Sequence, residues 1–529
     1  MKTDLPSRRA RGASLEVIVL VAAAALLAAF TAMRYGGLYS ETDTNTFAAI
    51  SRAMLTEGRL IPRQQAYPHG YGFPALITFL VHVTGLSVAQ LQIAGGTLLA
   101  VWLVIPAWLA YRELTGSTRG ATLATVIILV QPEFLFSILR GAHEKFTRGL
   151  MFLALYLLVR SILARQQSRR FAAFLLAFYL TIYALITFND LMATSFIVAL
   201  GLALALSLVM QRVIGLPSDG STAIQRRLLY AIAISLLLAF VFTFYAYPPA
   251  REGLRVIQSI WDRLALLFLD VQETGSNPYQ TISTAWTSLP VYLLVSIANW
   301  LLLVLSFVLW SAQSLSWWRK RTWPEEPRAI LLWSLYGAFG FLGAVSIAVD
   351  VSGSLSSNLQ HRIFPSFGMI AAAVVAEWFV HRRQQALRPQ ARRLAYGALA
   401  VGIAFLGVVA VAKATNEPSL SNKWNYYTLA EFTALDWSRV KYPDSPTWVE
   451  FDERLSAAIG ICCNWQAEGT RFDSFAPDPI TRNFLISDVI RARAQRLALS
   501  LPIVGDSLSV YDNGQAQVYR LRPRTPYQR

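Results

Sequence analysis

The segment ETDTNTFAAISRAMLTEGRLIPRQQAYPHGYG, residues 41–72, is polar and follows an apolar run at residues 15–32. Such a run is long enough to cross about 30 Å of hydrocarbon as a helix. Further apolar runs recur along the chain, which is 55% hydrophobic and only 15% charged. Soluble domains carry about 25% charged residues. The sequence therefore predicts a mainly α, polytopic membrane protein, because backbone polar groups in lipid must be bonded within a helix.

The apolar runs predict about eleven transmembrane helices. We place them at residues 15–32, 91–110, 121–139, 149–163, 171–186, 191–210, 228–245, 291–314, 329–349, 363–380 and 394–412. The stretch 73–86 is shorter, and we interpret it as a helix at the membrane interface. With this threading, loops on the N-terminal side hold Lys and Arg at about three times the density of the other loops. The bias predicts a cytoplasmic N-terminus in the cell (plasma) membrane, with the C-terminus outside.

We divide the chain into a membrane domain, residues 1–412, and a small extracytoplasmic α/β domain, residues 413–529. The membrane domain includes an outer loop at 35–90 and a re-entrant outer loop at 246–289. The tail has a helical pattern at 431–439 and a strand pattern at 447–451. It also has an Asn-Gly turn at 513–514 between alternating apolar residues, the pattern of a β-hairpin.

The formal net charge is +16, but the basic residues fall mainly in short loops, where they meet anionic membrane lipids. We therefore expect no nucleic-acid partner. The two cysteines, Cys462 and Cys463, are adjacent, and a bridge between neighbours is strained, so no disulfide framework is expected. The basic cluster at residues 8–11 precedes the first apolar run directly. This pattern favours an uncleaved first span over a cleaved signal peptide.

Two carboxylates, Glu41 and Asp43, begin the first outer loop. Phe47, Ile50 and Met54 follow at helical spacing, so this part of the loop is predicted to lie along the membrane surface. Asp43 would then lie at the depth of a lipid headgroup. The alternative is that Asp43 is an ordinary loop carboxylate or a helix cap.

The second outer loop carries Arg140, His143, Glu144, Lys145 and Arg148 within a few residues. Histidine and glutamate can bind a divalent cation, whereas lysine and arginine suit phosphate. The alternative is that the long basic side chains simply extend to the membrane interface.

Further polar groups follow in later outer loops. An amphipathic pattern at 250–270 leads to Glu273, which is followed by a Gly- and Pro-containing turn typical of a mobile lid. His361 and Arg362 precede the tenth span, where an arginine invites pairing with a lipid phosphate.

Three other acidic residues rank lower. Asp190 and Asp350 lie at outer ends of spans, where each is a further candidate ligand or a helix-terminal polar group, and Glu133 is interpreted as polar packing inside the bundle. The joint pattern is more informative than any single residue, because acids and cations from distant loops share one predicted side. Carboxylates that act as a base or hold a metal, beside cations that offset phosphate charge, suit an enzyme acting on a lipid-linked phosphate.

This order of elements resembles the GT-C superfamily of polyprenyl-dependent glycosyltransferases. The matching features are the acidic first loop, the segment Tyr67-Pro-His-Gly-Tyr71, the charged second loop, the long re-entrant loop and the outer C-terminal domain. Within that superfamily the chain looks most like prokaryotic oligosaccharyltransferase-type proteins. Two departures are visible. The second motif has one acid instead of two flanking a residue, and the tail has no Trp-Trp-Asp run.

The resemblance implies a sugar or glycan transfer from a polyprenyl-phosphate or polyprenyl-diphosphate donor to a glycan, lipid or protein acceptor. It implies catalytic roles for Asp43, Glu144 and Glu273. The implied ligands of a divalent metal ion, Mg²⁺ or Mn²⁺, are Asp43, His143, Glu144 and Glu273. The implied substrate-binding residues are Glu41, Tyr67, His69, Lys145, Arg148, His361 and Arg362.

Two other functions remain open from the sequence. A transporter or flippase of lipid-linked glycans predicts charged residues in mid-membrane near broken helices. A non-catalytic anchor for the tail predicts no convergence of the outer loops. Carboxylates of Asp43, Glu144 and Glu273 more than about 15 Å apart could not share one metal, whose ligands lie at about 2–2.6 Å.

Overall fold

The structure of the chain is a computed structural model. The residues that it describes are 7–35, 42–63, 66–91, 98–164, 169–214, 219–255, 258, 262, 289–320, 326–351, 359–382, 389–414, 427–441, 447–450, 466–469, 482–496 and 507–521.

The regular secondary structure in the described ranges of the membrane part is all helical. Its helices are α1 Ser7–Tyr35, α2 Thr42–Glu57, α3 Gly72–Thr84, α4 Val104–Thr115, α5 Thr118–Leu129, α6 Pro132–Leu139, α7 Glu144–Leu163, α8 Arg169–Phe188, α9 Asp190–Ile214, α10 Asp219–Val241, α11 Leu289–Lys320, α12 Pro327–Val351, α13 Leu359–Glu377 and α14 Pro389–Ala414. A 3₁₀ turn, Leu99–Leu103, precedes α4, and a π-helical turn, Phe242–Ala246, continues α10.

Nine helices in the described ranges are long and apolar enough to cross a membrane, namely α1 and those from α7 to α14. They confirm nine of the predicted spans, and the chain is a multi-pass membrane protein. The predicted span at 121–139 is present as two helices, α5 and α6, which are bent by 75° and are together long and apolar enough for a broken span or a re-entrant loop. The predicted span at 91–110 crosses residues outside the described ranges, and its described part is the 3₁₀ turn that leads into α4.

The bend between α5 and α6 has a local cause. Pro132 occupies the first turn of α6, where its missing N–H costs no helical bond. Beside it, the side-chain amide of Gln131 donates to the carbonyl of Asn299 in α11 at 3.0 Å. The side chain of Asn299 in turn accepts from the backbone N–H of Glu133 at 3.3 Å. The break therefore receives partners from a distant helix, and it directs α6 toward the loop at residues 140–143.

Small side chains allow the helices of the core to pack closely, as is common in membranes. Ala371, Ala372 and Ala373 of α13 are fully buried. On the neighbouring α4, the Tyr111 hydroxyl donates to the carbonyl of Met369 at 2.8 Å. A side chain at Gly149 of α7 would collide with the ring of Trp102, because a Cβ there would lie 2.2 Å from it.

The predicted short helix at 73–86 is present as α3, which has 13 residues and is too short to cross the hydrocarbon. It packs on α2 through an apolar cluster in which Phe47 contacts Phe73 and Tyr67. The left-handed Gly85, with φ 70°, ends the helix. Its predicted place at the membrane interface stays a prediction.

The described part of the tail is mixed α/β, as predicted. Its elements are α15 Leu429–Lys441, β1 Thr447–Glu450, β2 Gln466–Gly469, β3 Arg482–Ser487, α16 Asp488–Arg496, β4 Ser507–Asp512 and β5 Ala516–Leu521. The sheet order is β2-β1-β3-β5-β4, with β1 parallel to both β2 and β3 and the remaining pairs antiparallel. The predicted hairpin is β4–β5, and Gly514 at its turn has φ 86°. The domain boundary at residue 412 stays a prediction.

Candidate functional site

Several segments that connect helices meet at one end of the bundle. The start of α2 contacts the α6–α7 loop, where Gly141 fits against Thr44 so closely that a Cβ would lie 2.4 Å from the threonine methyl. The α6–α7 loop contacts the α8–α9 turn through a hydrogen bond between His143 and Asn189. The α8–α9 turn contacts the segment at 67–72. The described parts of the first three loops expected on one side therefore converge, as the enzyme hypothesis requires and the anchor hypothesis does not.

At the centre of this end, the guanidinium of Arg140 joins two carboxylates. One of its terminal nitrogens lies 2.5 Å from Asp43 Oδ2, and the other lies 3.0 Å from Glu144 Oε1. The Asp43 side chain is 51% exposed, whereas those of Arg140 and Glu144 are 13% and 16% exposed. Asp43 is thus the member of this cluster that an arriving substrate can reach.

Lys145 fixes the backbone of the loop that carries Arg140. This lysine is fully buried, and its ammonium donates to the backbone carbonyls of Arg140 and Ala142. The ring of Phe136, one turn earlier in α6, lies 6.0 Å from the Arg140 guanidinium carbon. Lys145 therefore shapes the loop, and its predicted contact with donor phosphate stays a prediction.

His143 is buried beside this cluster, only 4% exposed. Its Nε2 lies 2.6 Å from the side-chain nitrogen of Asn189, whose side-chain oxygen accepts from the N–H of Met192. Asn189 is therefore the donor and Nε2 the acceptor, which leaves the proton of the neutral ring on Nδ1. Nδ1 faces Glu144 Oε2 at 4.0 Å. Burial lowers the pKa of His143 to about 4, so the ring is neutral at pH 7.

A second polar pair lies at the same end of the bundle. His69 Nδ1 lies 3.1 Å from Asp190 Oδ1, and each side chain is 14% exposed. The backbone supports the pair, because the N–H of Asp190 donates to the carbonyl of His69 at 2.9 Å. Gly70 permits this approach, since its φ is 141° and a Cβ there would lie 2.2 Å from the carbonyl oxygen of Thr187.

The segment after α10 closes over this pair. Tyr247 is 2% exposed, and its hydroxyl donates to the carbonyl of Tyr67 at 2.7 Å. Burial, with the charge of Asp190 as the next cause, raises the pKa of Tyr247 well above its usual range. Gly253 lies against His69 and Asp190, where a Cβ would be 3.4 Å from the carboxylate. The beginning of the predicted re-entrant loop is therefore part of the site.

The structure places the predicted site residues unequally. Asp43 and Glu144 are joined through Arg140, whereas Tyr67, His69 and His143 lie together in an aromatic cluster with Phe47. Arg148 is 3% exposed and donates to Ser366 of α13. Glu41 and Glu273 lie outside the described residues, as do the side chains of His361 and Arg362.

Sequence reasoning missed the central roles of Arg140 and Asn189. Arg140 was visible only as one of several charges in a short loop, and Asn189 only as a turn residue beside Asp190. Both act through partners that are distant in sequence, Asp43 and His143 respectively. The signal that the sequence did offer was the high density of charged residues in the short α6–α7 loop.

The described residues do not bring the predicted metal ligands together. Among them, no group of three or more His, Cys, Asp or Glu side chains converges in a way that could hold a metal ion. Asp43 and Glu144 face the Arg140 guanidinium, and the free electron pair of His143 accepts from Asn189. The described part of the predicted set therefore does not fit a divalent cation, and the role of Glu273 stays a prediction.

Two further features lie within the bundle. Lys413 of α14 forms an ion pair with Glu133 at the α5–α6 break, and Asn299 donates to the same carboxylate at 3.1 Å. This agrees with the interpretation of Glu133 as polar packing. Separately, a cavity of about 440 Å³ lies between α11, α12 and α13. Its lining is almost entirely apolar and includes Trp300, Gly343 and Phe364.

No protein-family model matches the chain, and no curated protein sequence matches it. Solved structures do match. ArnT from Cupriavidus metallidurans in the apo state is 16% identical, with a TM-score of 0.50 over 95% of this chain and 97% of that one. The apo oligosaccharyltransferase of Archaeoglobus fulgidus is 13% identical, with a TM-score of 0.51 over 85% of this chain.

This chain covers 64% of the archaeal oligosaccharyltransferase. A further structure of that enzyme, AglB, in complex with an inhibitory peptide and a dolichol-phosphate, matches at 12% identity with a TM-score of 0.50. At these identities the matches establish the fold. The chain therefore has the GT-C fold that the order of its sequence elements predicts.

Proposed function

We propose that the protein is a membrane glycosyltransferase that moves a sugar or glycan from a polyprenyl-phosphate or polyprenyl-diphosphate donor to an acceptor. The observation that carries this proposal is the convergence of loops at one end of a GT-C bundle, with the half-exposed Asp43 beside Arg140. The AglB structure binds a dolichol-phosphate, which supports a lipid-linked donor for a chain of the same fold.

In this mechanism the acceptor group attacks the anomeric carbon of the donor sugar. The bond from that carbon to the phosphate oxygen breaks, and the polyprenyl phosphate or diphosphate leaves with the electron pair. Asp43 takes the proton of the acceptor, since it is the exposed carboxylate of the cluster. Cations offset the charge that develops on the leaving phosphate. Glu144 assists by holding Arg140 beside Asp43.

The apolar cavity between α11, α12 and α13 is suited to the isoprenoid chain of the donor. Its volume is in the range of small-molecule sites, about 300–1,000 Å³, and it is lined by aromatic rings and glycines. Ser366 of α13, the partner of Arg148, is followed by Phe367, which lines the cavity. The same helix therefore contributes to the cavity and contacts the helix that bears Glu144.

We propose further that the active end faces outward across the plasma membrane, with the tail on that side, as the distribution of basic residues predicts. Glu41, Glu273, His361 and Arg362 belong to loops on that side in the predicted threading. We assign Glu273 to catalysis, and Glu41, His361 and Arg362 to donor and acceptor binding. The acceptor is a glycan, a lipid or a protein.

A flippase of lipid-linked glycans is the second candidate, and one observation favours it. The ion pair of Glu133 and Lys413 lies inside the bundle at a broken helix, the setting in which transporters place charged residues. The pair is shielded from solvent, however, because its side chains are only 13% and 3% exposed. Asp43 is the more accessible group.

The test is a reconstitution of the full chain in liposomes with synthetic polyprenyl-phosphate and polyprenyl-diphosphate sugars and a cell-envelope extract as acceptor. Mass spectrometry measures release of the free polyprenyl phosphate or diphosphate. We expect release that requires both the protein and the acceptor extract. Movement of intact donor across the bilayer without cleavage would instead establish the flippase.

A further inference from the structure

We propose that Arg140 occupies the place of a divalent cation in this site, so that the paired carboxylates Asp43 and Glu144 are held by a guanidinium and not by a metal ion. This inference rests on the proposed function for its meaning. It makes Arg140 a positioning residue, which acts through Asp43.

The bridge has the geometry of a cation site. The two terminal nitrogens of one planar guanidinium reach different carboxylates, Asp43 at 2.5 Å and Glu144 at 3.0 Å. The carboxylates come from separate elements, the first turn of α2 and the first turn of α7. Joining acidic groups from distant parts of a chain is what a bound divalent cation does in other enzymes. Here a side chain of the protein does it.

Arg140 is held in place on several sides and is not a freely moving surface arginine. Its backbone carbonyl accepts from the buried Lys145, and the next residue, Gly141, is packed against Thr44. Its guanidinium lies over Phe136 and is 13% exposed. A rigid guanidinium loses little freedom on bridging two acids, so its pose persists without a ligand.

The neighbouring groups that the structure describes do not complete a metal site. His143 faces Glu144 with Nδ1, which carries the ring proton, while its free electron pair accepts from Asn189. His69 is paired with Asp190. A divalent ion placed between Asp43 and Glu144 would also lie within about 4 Å of the positive Arg140, where like charges repel strongly. The site is therefore built for a fixed monovalent cation.

Removal of the Arg140 cation should change how the site binds metal ions. Arg140→Gln removes the guanidinium that contacts the carboxylates of both Asp43 and Glu144. We expect this variant to acquire an Mn²⁺ site that the natural chain lacks. Its affinity for Mn²⁺ should be at least about tenfold higher than that of the wild type. The double variant Arg140→Gln/Asp43→Asn should lose that gain.

The experiment measures free Mn²⁺ by electron paramagnetic resonance during titration of EDTA-treated, full-length protein in detergent. It compares the wild type, Asp43→Asn, Arg140→Gln, the double variant and the charge-preserving Arg140→Lys. We expect coincident isotherms for the wild type, Asp43→Asn and Arg140→Lys, and a gain in Arg140→Gln alone. Size-exclusion chromatography checks that each variant is folded.

Two results would overturn the inference. One is an equivalent of Mn²⁺ bound by the wild type that Asp43→Asn abolishes, since this would show a metal in the place assigned to Arg140. The other is no gain in a folded Arg140→Gln. If Arg140→Gln does not fold, the comparison of wild type with Asp43→Asn still decides. These measurements need no donor or acceptor, so they are independent of the proposed transfer activity.

Discussion

Two clusters among the described residues, one at the end of the bundle and one at the α5–α6 break, place an acid against a basic side chain, and they differ in exposure. In the cluster at the end of the bundle, Arg140 holds Asp43, which is 51% exposed. In the cluster at the α5–α6 break, Lys413 holds Glu133, and the side chains are 3% and 13% exposed. The same pairing of charges thus leaves one acid open to a substrate and encloses the other.

The difference shows what each ion pair can do. The enclosed pair joins α14 to the break that directs α6, and Phe136 of α6 lies near both cations, 5.2 Å from the Lys413 ammonium and 6.0 Å from the Arg140 guanidinium carbon. The enclosed pair therefore supports the loop that carries Arg140. The open pair contributes less to stability, because solvent screens it. Activity should therefore depend most on the open pair, and stability on the enclosed one.

The largest effect is expected for Asp43→Asn. If Asp43 takes the proton of the acceptor, its loss lowers the transfer rate about 10²–10⁴-fold, with little change in thermal unfolding. Initial rates of polyprenyl phosphate release measure this. Asp488→Asn is a matched control, because Asp488 is 60% exposed and paired with Arg491 at 3.0 Å, outside the site. Equal rates for the two variants would remove Asp43 from the mechanism.

Breaking the enclosed pair should affect stability instead. Lys413→Met leaves Glu133 buried without its main cation, which we expect to lower the free energy of unfolding by about 3–5 kcal/mol. The double variant Glu133→Gln/Lys413→Met removes both charges and should recover most of that loss. Denaturant unfolding in detergent measures the change. The transfer rate per folded molecule should stay within about twofold of the wild type in the double variant; a large loss would give the pair a role in the reaction.

The buried histidine gives the active end a pH dependence of stability. The pKa of His143 is about 4 in the folded chain and about 6.5 when unfolded. Below pH 6.5 the unfolded state gains a proton that the folded state does not, so stability falls as the pH decreases toward 4. The full effect is about 3 kcal/mol.

His143→Gln tests this, because glutamine can still accept from Asn189 and does not titrate. Thermal unfolding between pH 7 and pH 5 should vary less in the variant than in the wild type. Identical pH profiles would show that His143 is not buried as a neutral ring.

The smallest effect is expected in the apolar cavity. A Cβ at Gly343 would meet Phe367 at 3.5 Å, an ordinary contact, so Gly343→Ala should be tolerated. Gly343→Leu fills part of the cavity and should lower kcat/KM for a long-chain donor about tenfold, or about 1.4 kcal/mol. A short-chain donor should be affected less. Equal effects on both donors would place the isoprenoid chain elsewhere.

The sequence was sufficient for most of the fold, since a spanning helix needs a long apolar run that can be read directly from the residues. It was not sufficient for the break within residues 121–139. Pro132 was readable there, but the groups that stabilise the break, Asn299 and Lys413, come from helices far along the chain.

The same limit applies to the site. Asp43 and Glu144 could be found because both lie in polar segments next to apolar runs, on one predicted side of the membrane. Their connection through Arg140 could not, because it depends on how α2 packs against the α6–α7 loop. Asp190 ranked low in sequence, since an acid in the first turn of a helix is common, yet it pairs with His69 from a loop more than a hundred residues away.

The most direct test of the proposed function is a cryo-electron microscopy structure of the full chain with a polyprenyl phosphate. We expect the phosphate at the end of the bundle that carries Asp43 and Arg140, with the isoprenoid chain entering the cavity between α11, α12 and α13. A phosphate bound at the opposite end of the bundle, or beside Glu133 and Lys413, would contradict it.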